Sequence, residues 1–209
     1  MRWRTRLFAF CCALGLLLSS RAGAEEASVR ARSPSVFGDG VTYLAELGCG
    51  LSFRSDLPAE LGGLEPGAFL RTDFGRHLGA GFYLLGTLAW SQQAASGDLE
   101  ACEGPDCPDM RASKVDSLLF GLSVRYALRF EAWEIFAQAG LGGMLDLVDG
   151  QALGSDERRM SLDARAVFMG SLGFDIFLGD AFFAGLRSDG VMSVEIYASN
   201  LLVFGGTRF

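Results

Sequence analysis

In 209 residues the chain has a single histidine, His77, and a single lysine, Lys114. The shortage of histidine removes the side chain most often used as a general base near neutrality. His77 stands in "GRHLG" with no His-x-Ser run after it, which favours a solvated turn residue over a catalytic one. The shortage of lysine leaves no polybasic patch, and acidic residues outnumber basic ones 25 to 18. Phosphate backbones are held by Lys and Arg, so nucleic acid is excluded as a partner. A long hydrophobic run is lacking too: "LFAFCCALGLLL" falls short of the roughly 18 residues a membrane-spanning helix needs. No glycine-rich phosphate loop precedes a helical pattern. "GLGG" at 140–143 lies inside an alternating segment, where glycine serves curvature.

What is present begins with glycine, 28 residues in a half-apolar chain, about twice the usual share of roughly 7%. Glycine at that level among apolar residues fits tightly curved sheets and argues against disorder. Residues 1–24 have a basic start, "MRWRTR", an apolar stretch, and small residues at Ala22 and Ala24. That layout predicts a secretory signal peptide cleaved before Glu25. Cys11 and Cys12 lie inside the apolar stretch without the small-residue run of a lipoprotein site. Cleavage would remove Arg2, Arg4, Arg6 and Arg21, leaving 14 basic against 25 acidic residues. Residues 25–40 show no period and read as a periplasmic lead-in to a single domain at 41–209.

From residue 41 the side chains alternate with a period of two, the mark of β-strands. In "VTYLAELGCGLSFR" Tyr43, Ala45, Leu47, Cys49, Leu51 and Phe53 share one face, and Glu46 and Arg54 the other. "SLLFGLSVRYALRF" is the clearest case, with Leu118, Phe120, Leu122, Val124, Tyr126, Leu128 and Phe130 opposite Arg125 and Arg129. Eight such segments are expected. Ten are an alternative, because 181–200 is poorly phased. Short turns at 76–77, 131–133 and 178–180 alternate with longer polar stretches, including 91–115, 148–160 and one near 191–200. Short and long connections in turn are the pattern of an up-and-down antiparallel transmembrane β-barrel, all-β and closed. A soluble β-sandwich would also alternate, but it gives no reason for Arg and Asp to recur on the minority face.

In a small barrel apolar residues face lipid and polar ones fill the lumen. Glu46, Arg54, Arg71, Asp73, Arg125, Arg129, Glu134, Asp146, Asp163, Arg165, Asp175, Arg187 and Asp189 are therefore expected inside. Eight strands leave room for side chains alone, so these charges are expected to pair and plug the barrel; a narrow conducting pore is the alternative. Cys102 and Cys107 in "CEGPDC" read as a loop-closing disulfide of an exported chain, within the acidic 91–115 segment. Two thiols without histidine are a poor zinc set, and the loop acids lack EF-hand spacing, so neither metal nor cofactor is expected.

The pattern resembles the small eight-stranded OmpA/OmpX-type outer-membrane barrel proteins. Phe209, preceded by alternating Leu201, Val203, Gly205 and Thr207, is similar to the C-terminal signal read by the barrel-assembly machinery, although a bulkier residue is usual where Thr207 stands. The resemblance covers 41–209 and includes no peptidoglycan-binding domain. It implies a Gram-negative outer-membrane location, with lipid and the assembly machinery as partners. The expected role is non-enzymatic, structural or surface-interacting through the external loops. The alternatives are a channel or small-solute carrier and, remotely, a lipid-modifying enzyme using His77.

Overall fold

The computed structural model describes residues 43–56, 63–96, 110–152, 158–194 and 196–209. Residues 1–42, with the expected signal peptide and lead-in, and 97–109, with Cys102 and Cys107, lie outside the described residues.

Among the described residues there are nine strands and no helix. They are β1 (Tyr43–Asp56), β2 (Gly63–Leu64), β3 (Gly67–Gly79), β4 (Phe82–Ser96), β5 (Met110–Arg129), β6 (Trp133–Ala152), β7 (Arg158–Phe177), β8 (Phe182–Met192) and β9 (Ile196–Arg208). β2 is a two-residue appendix on β4. The other eight pair antiparallel in the order β4-β3-β1-β9-β8-β7-β6-β5, and β4 pairs with β5 to close the ring. The fold is a closed eight-stranded up-and-down barrel, not a sandwich and not a ten-stranded barrel.

Its geometry follows from one circuit of paired residues. Leu128, Ile135, Phe174, Leu186, Val203, Cys49, Leu70, Trp90 and Leu118 are each partnered with the next. The circuit leaves β5 at Leu128 and returns to it at Leu118, a stagger of ten residues. A stagger of that size across eight strands tilts them by about 40° from the barrel axis.

Connections differ from expectation in instructive ways. The turn expected at 76–77 falls at Ala80–Gly81, and Arg76 and His77 are strand residues. Gly79, Ala80 and Gly81 all have positive φ (104°, 49° and 81°). A two-residue hairpin loop needs that left-handed backbone, and glycine supplies it without strain. The turn at 131–133 closes at Glu131–Ala132, with Trp133 already in β6, and the turn at 178–180 lies where expected. The connection near 191–200 is a tight hairpin rather than a long loop: the Ser193 N–H donates to the Ile196 carbonyl at 2.9 Å. Within the segments 91–115 and 148–160, the described residues 91–96, 110–115, 148–152 and 158–160 are strand, because β4, β5, β6 and β7 run on into them. β5, β6 and β7 each have 20 residues and project past their neighbours at the loop end. β8 pairs with β7 only from Phe168 onward.

The outward face is apolar. On β5 it runs from Leu118 to Phe130 and turns polar at Asp116 and Lys114. The twelve residue-to-residue steps from Leu118 to Phe130, at about 3.3 Å each and tilted by about 40°, make a band about 30 Å tall. Aromatic rings pack side by side along its turn-end edge. Phe74 stacks on Tyr43 (6.1 Å between centroids), Tyr43 on Phe209 (5.9 Å), Phe130 on Trp133 (3.9 Å), and Trp133 meets Phe174 (5.6 Å). Phe209 is thus held where β9 meets β1. The Tyr43 N–H donates to the Phe209 carbonyl at 2.9 Å, and the Phe209 N–H donates back at 3.2 Å.

Candidate functional site: the barrel interior and its projecting rim

Inward side chains stack in layers rather than forming one uniform polar lumen. At the turn end, Arg208 donates through Nη2 to Glu134 and lies 3.6 Å from Asp175. The Arg129 guanidinium covers the Phe177 ring at 4.3 Å. Above them sits an apolar layer of Leu44, Tyr83, Leu85, Ala127, Phe136, Phe183 and Phe204. His77 is near this layer, its ring 4.9 Å from that of Tyr83.

The central layer is ionic, and strands β1, β3, β4, β5, β6, β7 and β8 all contribute to it. Arg125, fully buried, grips Glu46 with both terminal nitrogens, the Nη1 bond to Oε1 being 2.5 Å. Arg71 donates twice to Asp73 (2.9 and 3.0 Å), to Asp189 (3.0 Å) and to Thr87 (3.2 Å). Arg187 lies between these pairs. It donates to Asp189 (2.6 Å), Asp73 (2.7 Å), Gln138 (2.8 Å), Ser171 (3.0 Å) and Glu46 (3.3 Å). Three guanidinium groups thus face three carboxylates, and neutral Gln138, Ser123, Ser171 and Thr87 take or supply the remaining bonds. Neutral balance and near-complete donor use are what let a buried ion cluster persist, since an unpaired buried charge costs several kcal/mol.

Aromatic packing positions this layer from below. Arg125 and Arg187 lie 4.0 and 5.5 Å from the Phe136 ring centre. Phe136 is held edge-on by Phe204 at 5.9 Å and fills the space over Gly173. A Cβ at Gly173 would come within 2.1 Å of the Phe136 ring. Gly173→Ala is therefore expected to destabilise the barrel by about 1–3 kcal/mol, the usual cost of overpacking, measured by urea unfolding. An unchanged midpoint would show that the ring is free to move aside.

Beyond the ionic centre a second apolar layer holds Phe69, Leu119, Met144, Val167, Met169, Val191 and Leu202. At the loop end Arg54 clamps Asp146 through two bonds (3.0 and 2.9 Å) and donates to Ser117 (3.1 Å). Arg165 lies 3.6 Å from Asp146 and also donates to Asp163.

Of the residues expected inside, Glu46, Arg71, Asp73, Arg125, Arg187 and Asp189 come together at the centre. Glu134 and Asp175 lie at one end, and Arg54, Asp146 and Arg165 at the other. Arg129 is at the turn-end mouth. Asp163 is on the inward phase but 51% exposed, a rim residue rather than a lumen one. Arg208 was missing from the expected set, though its alternation phase on β9 is inward. So was the role of Gln138, whose polar side chain sits on the inward phase of β6. The acids of the 97–109 segment lie outside the described residues.

A closed barrel of eight strands, apolar outside and packed with ion pairs inside, has the fold of the small outer-membrane barrels. One such structure is Ail, the attachment invasion locus protein of Yersinia pestis. It aligns with 81% of this chain over 99% of its own length, at 8% identity and a TM-score of 0.54. Ail in complex with the heparin analogue sucrose octasulfate aligns over the same shares, 81% and 99%, at 9% identity and a TM-score of 0.52. Neisserial surface protein A aligns with 80% of this chain and 97% of its own, at 14% identity and a TM-score of 0.47. No protein-family profile matches the chain, and no curated protein matches it in sequence.

Proposed function

We propose that the chain is an integral outer-membrane β-barrel protein of a Gram-negative bacterium, exported across the inner membrane, non-enzymatic, and sealed to solutes. Its work is surface interaction at the projecting rim of β5, β6 and β7. The observation that carries this reading is the outward apolar band, about 30 Å tall and edged by aromatic rings, which matches the girdled belt of lipid-facing barrels. Water would not tolerate a continuous apolar surface of that extent on a monomer. The outward file Leu201, Val203, Gly205, Thr207 and Phe209 is the segment we assign to recognition by the barrel-assembly machinery.

The sealed interior is supported by the central ion cluster together with the two apolar layers flanking it. In planar bilayers the protein is expected to be silent at all applied voltages. Steady unitary conductance would sink the sealed reading in favour of the channel. Expressed in a Gram-negative host, it is expected in the outer-membrane fraction, migrating faster unboiled than boiled on SDS gels. Recovery as a single band from the soluble periplasm would overturn the membrane reading. His77→Ala is expected to leave the host's lipid profile unchanged, whereas loss of a lipid modification would restore the enzyme reading.

A further inference from the structure

β7 outruns the strand beside it. It pairs with β6 from Arg158, opposite Gln151, to Ile176, opposite Trp133, without a shift in register. On its other side, pairing with β8 begins only at Phe168, opposite Met192. The Phe177 N–H donates to the Ala132 carbonyl on the β6 side at 3.0 Å, and the Leu178 N–H to the Phe182 carbonyl on the β8 side at 2.8 Å. Backbone groups alternate sides along a strand, so odd residues of β7 address β6 and even ones address β8. At 158, 160, 162, 164 and 166 the N–H and C=O therefore point to a side where no strand among the described residues pairs with them.

The chemistry along this edge says what fits it. Leu162, paired through Leu147 to Asp116, lies roughly 5 Å beyond the apolar band, so the open groups stand on the loop side of it. The outward side chains remain apolar there: Met160, Leu162, Ala164 and Ala166 are all exposed. Val194, at the tip of the β8–β9 hairpin beside the lower end of the edge, is 98% exposed. The inward side chains, Ser161, Asp163 and Arg165, are polar. Neither proline nor a bulge, two devices that blunt a strand edge, interrupts residues 158–166. We propose that this edge docks an extended segment of another protein, which adds as a strand in the place that β8 leaves empty. Its side chains would alternate, apolar outward beside Leu162 and polar inward beside Asp163. The proposal rests on the surface-interaction reading above and names the kind of partner. A second copy in the same membrane does not fit. A two-fold axis along the bilayer normal would cross the two β7 edges at about 80°, twice the strand tilt, where no ladder forms.

The test uses the full barrel in phosphatidylcholine vesicles and a labelled peptide of alternating valine and threonine with a lysine at each end, read by fluorescence anisotropy against empty vesicles. Wild type is expected to bind it saturably. Leu162→Pro removes an N–H on the open side and spares the β6 ladder, as proline on an edge does. It is expected to weaken binding about tenfold, and Ala164→Pro, a second open-side position, to do the same. Leu162→Ala keeps the N–H and is expected to lose less. Equal binding by wild type and both proline variants overturns the proposal, as does equal loss in Leu162→Ala and Leu162→Pro, which would make the contact one of side chains alone. A barrel that shifts on SDS gels between unboiled and boiled samples yet binds no peptide overturns this proposal and leaves the membrane reading standing. Absence of the shift in wild type overturns both.

Discussion

Arg187→Ala is expected to destabilise the folded barrel by about 3–5 kcal/mol, the range for removing one partner from a buried ion cluster. Arg187 is the residue on which the central layer converges. Its guanidinium donates to Asp73, Asp189, Glu46, Gln138 and Ser171, which sit on five different strands. Alanine would leave three carboxylates facing the two remaining arginines of that layer, in a space closed above and below by apolar side chains. The loss would appear as a lower urea midpoint in lipid vesicles at unchanged m-value. Arg165→Ala, at the partly exposed rim, is expected to cost no more than about 1 kcal/mol, as exposed ion pairs do. Equal effects at the two sites would mean that the central cluster is solvated rather than sealed. Conductance acquired by Arg187→Ala alone would locate the seal at this layer.

The second large effect concerns the outside. Leu172 and Leu162 both point outward from β7 and are exposed to almost the same degree, 67% and 69%. They differ in height. Rows of paired residues climb toward the loop end from β5 to β7, so Leu162, paired through Leu147 to Asp116, lies roughly 5 Å beyond Asp116. Leu172 lies mid-band. Leu172→Arg is expected to cost about 2–4 kcal/mol, as a cation at the bilayer midplane does, and Leu162→Arg about 0–1 kcal/mol. Unfolding in vesicles measures both. On a protein surrounded by water the two substitutions would be equally harmless, so matched small effects would count against the lipid-facing band.

The alternation on the eight strands was legible because one face of each strand points outward and is apolar along the band, while the other meets neighbours inside the barrel. Leu118 to Phe130 and Leu162 to Ile176 both keep that phase in the structure. The projecting ends of β5 to β7 were not legible. Outside the band both faces of a strand are free to be polar, and residues such as Ser113, Lys114 and Asp116 carry no period. β8 was ambiguous because its outward face contains Ser188 and Gly190 and its inward face Phe183 and Val191. The apolar layers inside the barrel were hidden for a related reason. Phe69, Leu119, Phe136 and Met169 point inward, where polarity alone leads one to expect charge. A narrow lumen must be filled, and side-chain volume decides as much as polarity does. Charges were easier to place than to pair. Glu46 and Arg125 are 79 residues apart in the chain, and only the ten-residue stagger brings them to one height.

The most direct test of the account is the environment of outward positions along a single strand. Nitroxide labels placed one at a time at 160, 162, 168, 172 and 176 on β7, with the protein in vesicles, would be read by collision with oxygen and with a water-soluble nickel complex. The account predicts oxygen-rich, nickel-excluded labels at 168, 172 and 176 and a crossover to nickel access by 162 and 160. Nickel access at all five positions would contradict it, because the apolar band would then face water.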